Sequence, residues 1–268
     1  MTGISSVRTD YNNQNNYYLH KNNNFYTPAS FQEPQPQYNP EKTVLTAGLL
    51  QAFALFLHKA SEWCGNKLMQ GKEFTNAENV KQIAQNMVNK NKLNVNVDFI
   101  DANNINKYPK VLQEALKPVA RGENAFYTDQ FKLAVAPKNK PSLILHELGH
   151  AINAHKGKFL KFLQKSRMFV SAVPTALIML NGLSKQDDNK PSFIERNAGK
   201  IGFAAFLPTI IEEGLASIRG VKAAKATLGN TVNLKPLKRN YFFAWLTYLI
   251  AGIGLGVAAK QSVIENKR

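Results

Sequence analysis

The segment His146-Glu147-Leu148-Gly149-His150 brings together residue types that can bind a metal ion and activate water. On a helix, positions four apart differ by about 40° in direction, so His146 and His150 project side by side and offer two imidazole nitrogens to one ion. Glu147 points to the flank of that pair. There a carboxylate can reach a metal-bound water without being a ligand and act as general base. Leu145, Leu148 and Ile152 give the helix an apolar side to bury, and Gly149 leaves room beside the metal.

Two histidines leave a zinc ion short of ligands. His155 lies about 180° round the helix from His146 and misses the HExxHxxGxxH spacing, so packing or a hydrogen bond behind the site suits it better. The better third ligand is an acid in Ile211-Glu212-Glu213-Gly214-Leu215-Ala216-Ser217, carried on a second helix packed against the first. Glu213 is followed at helical spacing by the small residues Ala216, Ser217 and Gly220, so its face can approach Gly149 closely. Glu212 lies about 100° away, among Leu215 and Arg219, and reads as a solvated carboxylate. The expected set is one zinc on His146, His150 and Glu213, a water in the fourth position, and Glu147 as base. A structural zinc would need a fourth protein ligand, and no cysteine lies nearby to supply it.

Elements able to position these residues can be read along the chain. Val80, Ile83, Ala84 and Val88 recur at helical spacing within 76–89, and Leu93, Val95, Val97 and Phe99 alternate as a strand. Residues 108–120 read as a helix. Residues 125–127 and 131–136 read as two short strands joined through Thr128-Asp129-Gln130, and Pro141 stands where the first turn of the His146 helix would begin.

Apolar residues, 44% of the 268, gather into dense blocks. The blocks are 43–57, 168–183, 201–211 and 242–259, with a polar turn at 184–191. The last block carries no charge over a length suited to a bilayer and is entered through Lys238 and Arg239. Its Gly252 and Gly256 make a GxxxG able to seat another helix. Residues 1–42 are rich in Asn, Gln, Tyr and Pro and read as disordered, with no apolar signal-peptide core. The single cysteine, Cys64, excludes a disulfide framework. A net charge of +16 would suit a nucleic-acid binder, but no zinc finger, RNA-recognition signature or aromatic-interleaved basic strand is present. Anionic lipid is one expected counter-surface, and basic side chains serving as solvated faces and membrane-topology signals are the equal alternative.

Three segments together resemble the membrane-associated zinc peptidases that include the HtpX heat-shock protease and the zinc CAAX prenyl proteases. They are Asn124-Ala125-Phe126 leading into the strand 131–136, the HELGH segment with His155 five residues on, and Glu213-Gly214-Leu215-Ala216. The likeness covers roughly residues 75–225. It implies that His146, His150 and Glu213 bind zinc, that Glu147 is the catalytic base, and that 131–136 is an edge strand for peptide binding. Ser217 departs from the family's usual aspartate, the connection from Pro137 to Pro141 is short for the family, and no later oxyanion-stabilising histidine or arginine motif is found. Arg219, Arg239 and Tyr241 remain candidates for that role.

The fold class so implied is α+β, mainly helical and zincin-like: a small antiparallel sheet, an HExxH helix and a glutamate helix, with transmembrane or membrane-embedded helices. The expected organisation is the tail 1–42, an apolar helix at 43–60 as a candidate span, and a metallopeptidase domain at 61–240 with an apolar hairpin at 168–211. A transmembrane helix at 241–259 and a polar tail at 260–268 follow. Lys and Arg concentrate in 59–167 and 212–240, which by the positive-inside rule puts the catalytic domain in the cytoplasm. The expected activity is zinc-dependent hydrolysis of membrane or membrane-proximal polypeptides. A non-catalytic membrane scaffold and a soluble zinc peptidase with a C-terminal anchor stay open as alternatives.

Overall fold

The computed structural model describes residues 40–183 and 192–265, so the expected disordered tail, apart from its last three residues, and the polar turn at 184–191 lie outside the described residues. Helix α1 runs Pro40–Met69 and α2 Ala77–Asn91. The side chain of Asn76 accepts from the amide of Asn79 and caps α2, while Val80, Ile83, Ala84 and Met87 are buried along one side. Met87 takes the fully buried place expected of Val88, one residue round the same stripe.

Strand β1 (Asn96–Ile100), helix α3 (Lys110–Ala120), strand β2 (Phe126–Thr128) and strand β3 (Leu133–Pro137) follow, leading into α4 (Leu143–His155). The sheet order is β1-β3-β2, with β1 parallel and β2 antiparallel to β3. The sheet is therefore mixed, not antiparallel, and 131–136 is not an edge. Side-chain alternation shows that a strand is half-buried or buried but says nothing of its neighbours, and the α3 crossover is what allows β1 and β3 to run parallel. All five residues of β3 are buried because both faces are covered. Leu133 and Val135 meet Leu112, Leu116 and Val119 of α3, and Ala134 and Ala136 join the core of Ile83, Met87, Ile144 and Leu148.

After α4 come α5 (Lys158–Ser166), a 3₁₀ stretch (Arg167–Ala172), α6 (Val173–Leu183), α7 (Phe193–Leu228) and α8 (Lys235–Glu265). The expected apolar hairpin is thus built unevenly. Its first arm is a 3₁₀ segment and an 11-residue helix, and its second arm is part of the 36-residue α7, which continues without a break through Glu212 and Glu213. Ser192 caps α7 by accepting from the amide of Glu195 at 3.0 Å. Two helices, Phe193–Leu228 and Lys235–Ile264, are long and apolar enough to cross a membrane. Helix α8 extends past Ala259 into the expected polar tail because Ala259 and Val263, one turn apart, are both buried with Leu177 and Ala198.

Glycine governs how these helices meet. A side chain on Gly149 would stand 2.4 Å from the carbonyl oxygen of Ala216, so α4 and α7 touch backbone to backbone beside the histidines. The GxxxG of α8 seats on α7 as expected of it: Gly256 faces the Gly199 carbonyl, and Gly252 faces Phe206 and Ile210.

Candidate metal centre

Helix α4 presents His146 and His150 one turn apart, their rings 4.5 Å between centroids and nearly perpendicular. Glu213 comes from α7, and the close approach at Gly149 lets its carboxylate reach both rings. Nε2 of His146 lies 3.0 Å from Nε2 of His150 and 3.0 Å from Oε2 of Glu213, and Nε2 of His150 is 3.5 Å from that oxygen. A triangle of this size leaves a point about 2 Å from all three atoms, the bond length zinc takes to imidazole and carboxylate. Glu147 stands in the same cluster with the two histidines, and this buried His and Glu group could hold a metal ion.

The hydrogen bonds behind the rings test the fit. Nδ1 of His150 lies 2.7 Å from Oε1 of Glu212, and a carboxylate there requires Nδ1 to carry the hydrogen. Neutral His150 then turns a lone pair from Nε2 towards His146 and the Glu213 carboxylate. A hydrogen on Nε2 of His146 with Ser217 donating to its Nδ1, a proton on His150, or a metal ion would each satisfy this side of the cluster. Burial opposes charge on His150, but Glu213 and Glu212 outweigh it and hold the imidazole pKa up at about 10. A metal ion would take the place of that proton.

Ser217 stands behind the other ring, with Oγ 3.1 Å from Nδ1 of His146. Glu147 is 8% exposed, and burial pushes its carboxyl pKa up against the pull of His150 and His146. A raised carboxyl is suited to accepting a proton near neutrality. His155 is not a ligand here: its Nδ1 pairs with the Ala151 carbonyl one turn back on its own helix.

Glu212 is the largest correction at the site. It is fully buried, not solvated, because α5 and the following 3₁₀ turn fold back over α7 and cover that side. Its Oε1 also accepts from Asn153 and Gln164, and Gln164 donates as well to the His150 carbonyl. Arg167 donates to Glu212 and, at 2.5 Å, to Oε1 of Glu213. Nothing in the spacing of Gln164 or Arg167 marks them, since they reach the acids across more than forty residues of chain.

The oxyanion candidates are engaged with other partners or exposed. Arg219 donates to Oδ1 of Asn153, Arg239 is exposed, and the Tyr241 hydroxyl donates to the Ser142 carbonyl while its ring lies 5.6 Å from that of His146. Ser142 is a junction at the start of α4. Its amide and hydroxyl both donate to Glu73, so the helix entry is tied to the α1–α2 connection as well as to α8.

No protein family, curated protein or solved structure was found to match the chain.

Proposed function

We propose that the protein is a zinc-dependent endopeptidase working at a membrane face on membrane or membrane-proximal polypeptides. What carries the reading is the convergence of two imidazole nitrogens and a Glu213 oxygen with Glu147 in the same buried cluster. Zinc on this donor set would polarise a scissile carbonyl and lower the pKa of water at an open position. Glu147 takes the proton of the attacking water and returns it to the leaving amine as the C–N bond breaks. Glu212 and Ser217 hold His150 and His146 in register from behind, and Arg167 balances the charge of Glu212 and Glu213.

The peptide-binding role expected of 131–136 passes to β2. That strand pairs on one side only among the described residues and packs on α4, so its outer edge can add an extended substrate strand. The two long apolar helices and the basic segments 59–167 and 212–240 support a membrane setting with the zinc side in the cytoplasm.

A second reading, a non-catalytic membrane scaffold, draws on Arg167, which pairs with the carboxylates of both Glu212 and Glu213. One measurement separates the two. Purified full-length chain should hold about one zinc and cleave unfolded polypeptide, and Glu147→Gln should keep the zinc while cleavage drops by about 10² or more. A wild-type chain that binds no zinc when it is supplied, or a Glu147→Gln chain that cleaves as well as wild type, ends the peptidase reading.

A further inference from the structure

Between Glu147 and Asp187 the chain holds no acidic residue, while Lys156, Lys158, Lys161, Lys165 and Arg167 fall within one short stretch. Helix α5 sorts this stretch into faces. Leu163 is buried, and Gln164 turns inward to the His150 carbonyl and Glu212. On the outer side stand Phe159 and Phe162, 67% and 62% exposed, with Lys158, Lys161 and Lys165 exposed beside them. Phe169, just beyond in the 3₁₀ stretch, is 67% exposed. Helix α7, against which α5 packs, also exposes Leu207 and Ile211 one turn apart.

A helix that sets aromatic rings beside a row of lysines, with no acid among them, has the make-up of an element lying in the plane of a bilayer interface. Its rings enter the boundary between headgroups and acyl chains, and its lysines reach the phosphates. We propose that α5 and the turn after it seat on an anionic phospholipid surface, with Phe159, Phe162 and Phe169 inserted and Lys158, Lys161 and Lys165 among the headgroups. This deepens the membrane setting proposed above and rests on it. Because the inner side of the same segment carries Gln164 and Arg167, the lipid contact lies on the side of the metal centre that Glu212 occupies.

The test uses the full chain, with Cys64 replaced by Ala, reconstituted into vesicles of phosphatidylcholine alone or mixed with phosphatidylglycerol. An environment-sensitive label is placed at Phe162→Cys or, as control, at Gly254→Cys on α8, where a side chain has open space. Quenching by lipid-borne nitroxide is then compared with quenching by aqueous acrylamide. The expected result is nitroxide quenching at position 162 several-fold stronger with phosphatidylglycerol than without, reduced to the phosphatidylcholine level when Lys158, Lys161 and Lys165 are changed to Gln. If position 162 stays open to water in both vesicles while 254 is quenched by lipid, the inference fails and the membrane setting stands. If both positions report water, the membrane setting fails and the inference with it. Equal quenching in the two compositions overturns the anionic preference, and a label at 162 shielded from both quenchers overturns the lipid contact and assigns the face to a second copy of this chain instead.

Discussion

His146 and His150 are held from behind by different chemistry, a neutral hydroxyl for one and a carboxylate for the other. Partners of this kind orient a ligand and raise its basicity, and losing one weakens metal binding by roughly 10- to 100-fold. Ser217→Ala should fall at the lower end and Glu212→Gln at the upper, because Glu212 also anchors Gln164, Asn153 and Arg167. Chelator competition on the purified variants measures both, and Ser217→Asp should bind more tightly than wild type. Glu73 permits a pH test away from the ligands. Burial raises its carboxyl pKa above the ordinary value of 4.5 despite the hydrogen bonds from Ser142. A raised folded-state pKa means the folded chain holds its proton longer than the unfolded one, so stability is lost as pH rises from 4.5 through the folded value. The melting temperature of Glu73→Gln relative to wild type should therefore increase between pH 4 and pH 8. A difference that does not change with pH would show that Glu73 does not ionise at a buried site.

At the scale of elements, contact between helices is set by what they lack. Gly149 lets α4 touch α7, and an added methyl there must push against the Ala216 backbone, not a flexible side chain. Gly149→Ala should cost about 1–3 kcal/mol of stability by overpacking and, by separating the Glu213 helix from the histidines, should also lose zinc. On α8, Gly256 and Gly254 make a matched pair. A side chain at Gly256 would stand 2.7 Å from the Gly199 carbonyl, whereas one at Gly254 meets nothing within 4 Å. Gly256→Ala should destabilise the chain, and Gly254→Ala should be neutral or stabilising by up to about 1 kcal/mol from helix propensity. Thermal unfolding in detergent compares the two. Equal losses would mean that α8 does not pack on α7 through Gly256.

At the scale of the whole molecule, α8 joins several elements. It packs on α1, α6 and α7, and its Tyr241 ties the entrance of the helix that carries His146 and His150 through Ser142. Deleting it would remove part of the core together with any anchor, so the membrane setting is better tested on the intact chain. Alkaline carbonate washing should leave the full-length protein in the membrane fraction, and release into the supernatant would favour a soluble or peripheral peptidase.

The HELGH helix and Glu213 could be read from the sequence because their geometry is local or nearly so: 3.6 residues per turn places His146, Glu147 and His150, and a run of small residues marks the face that must come close. The seating of Gly252 and Gly256 was legible for the same reason. The pairing order of the sheet was not, since alternation along 131–136 is the same for a central strand and an edge. Nor were Glu212, Gln164 and Arg167, whose partners lie far along the chain and whose polar side chains carry no period. By itself the sequence determined a set of side chains that could bind a metal ion and where the apolar blocks lie. Only the tertiary structure decided which acids are buried, which strand has a free edge, and that a basic, aromatic helix lies over the site, because burial is a property of what folds on top.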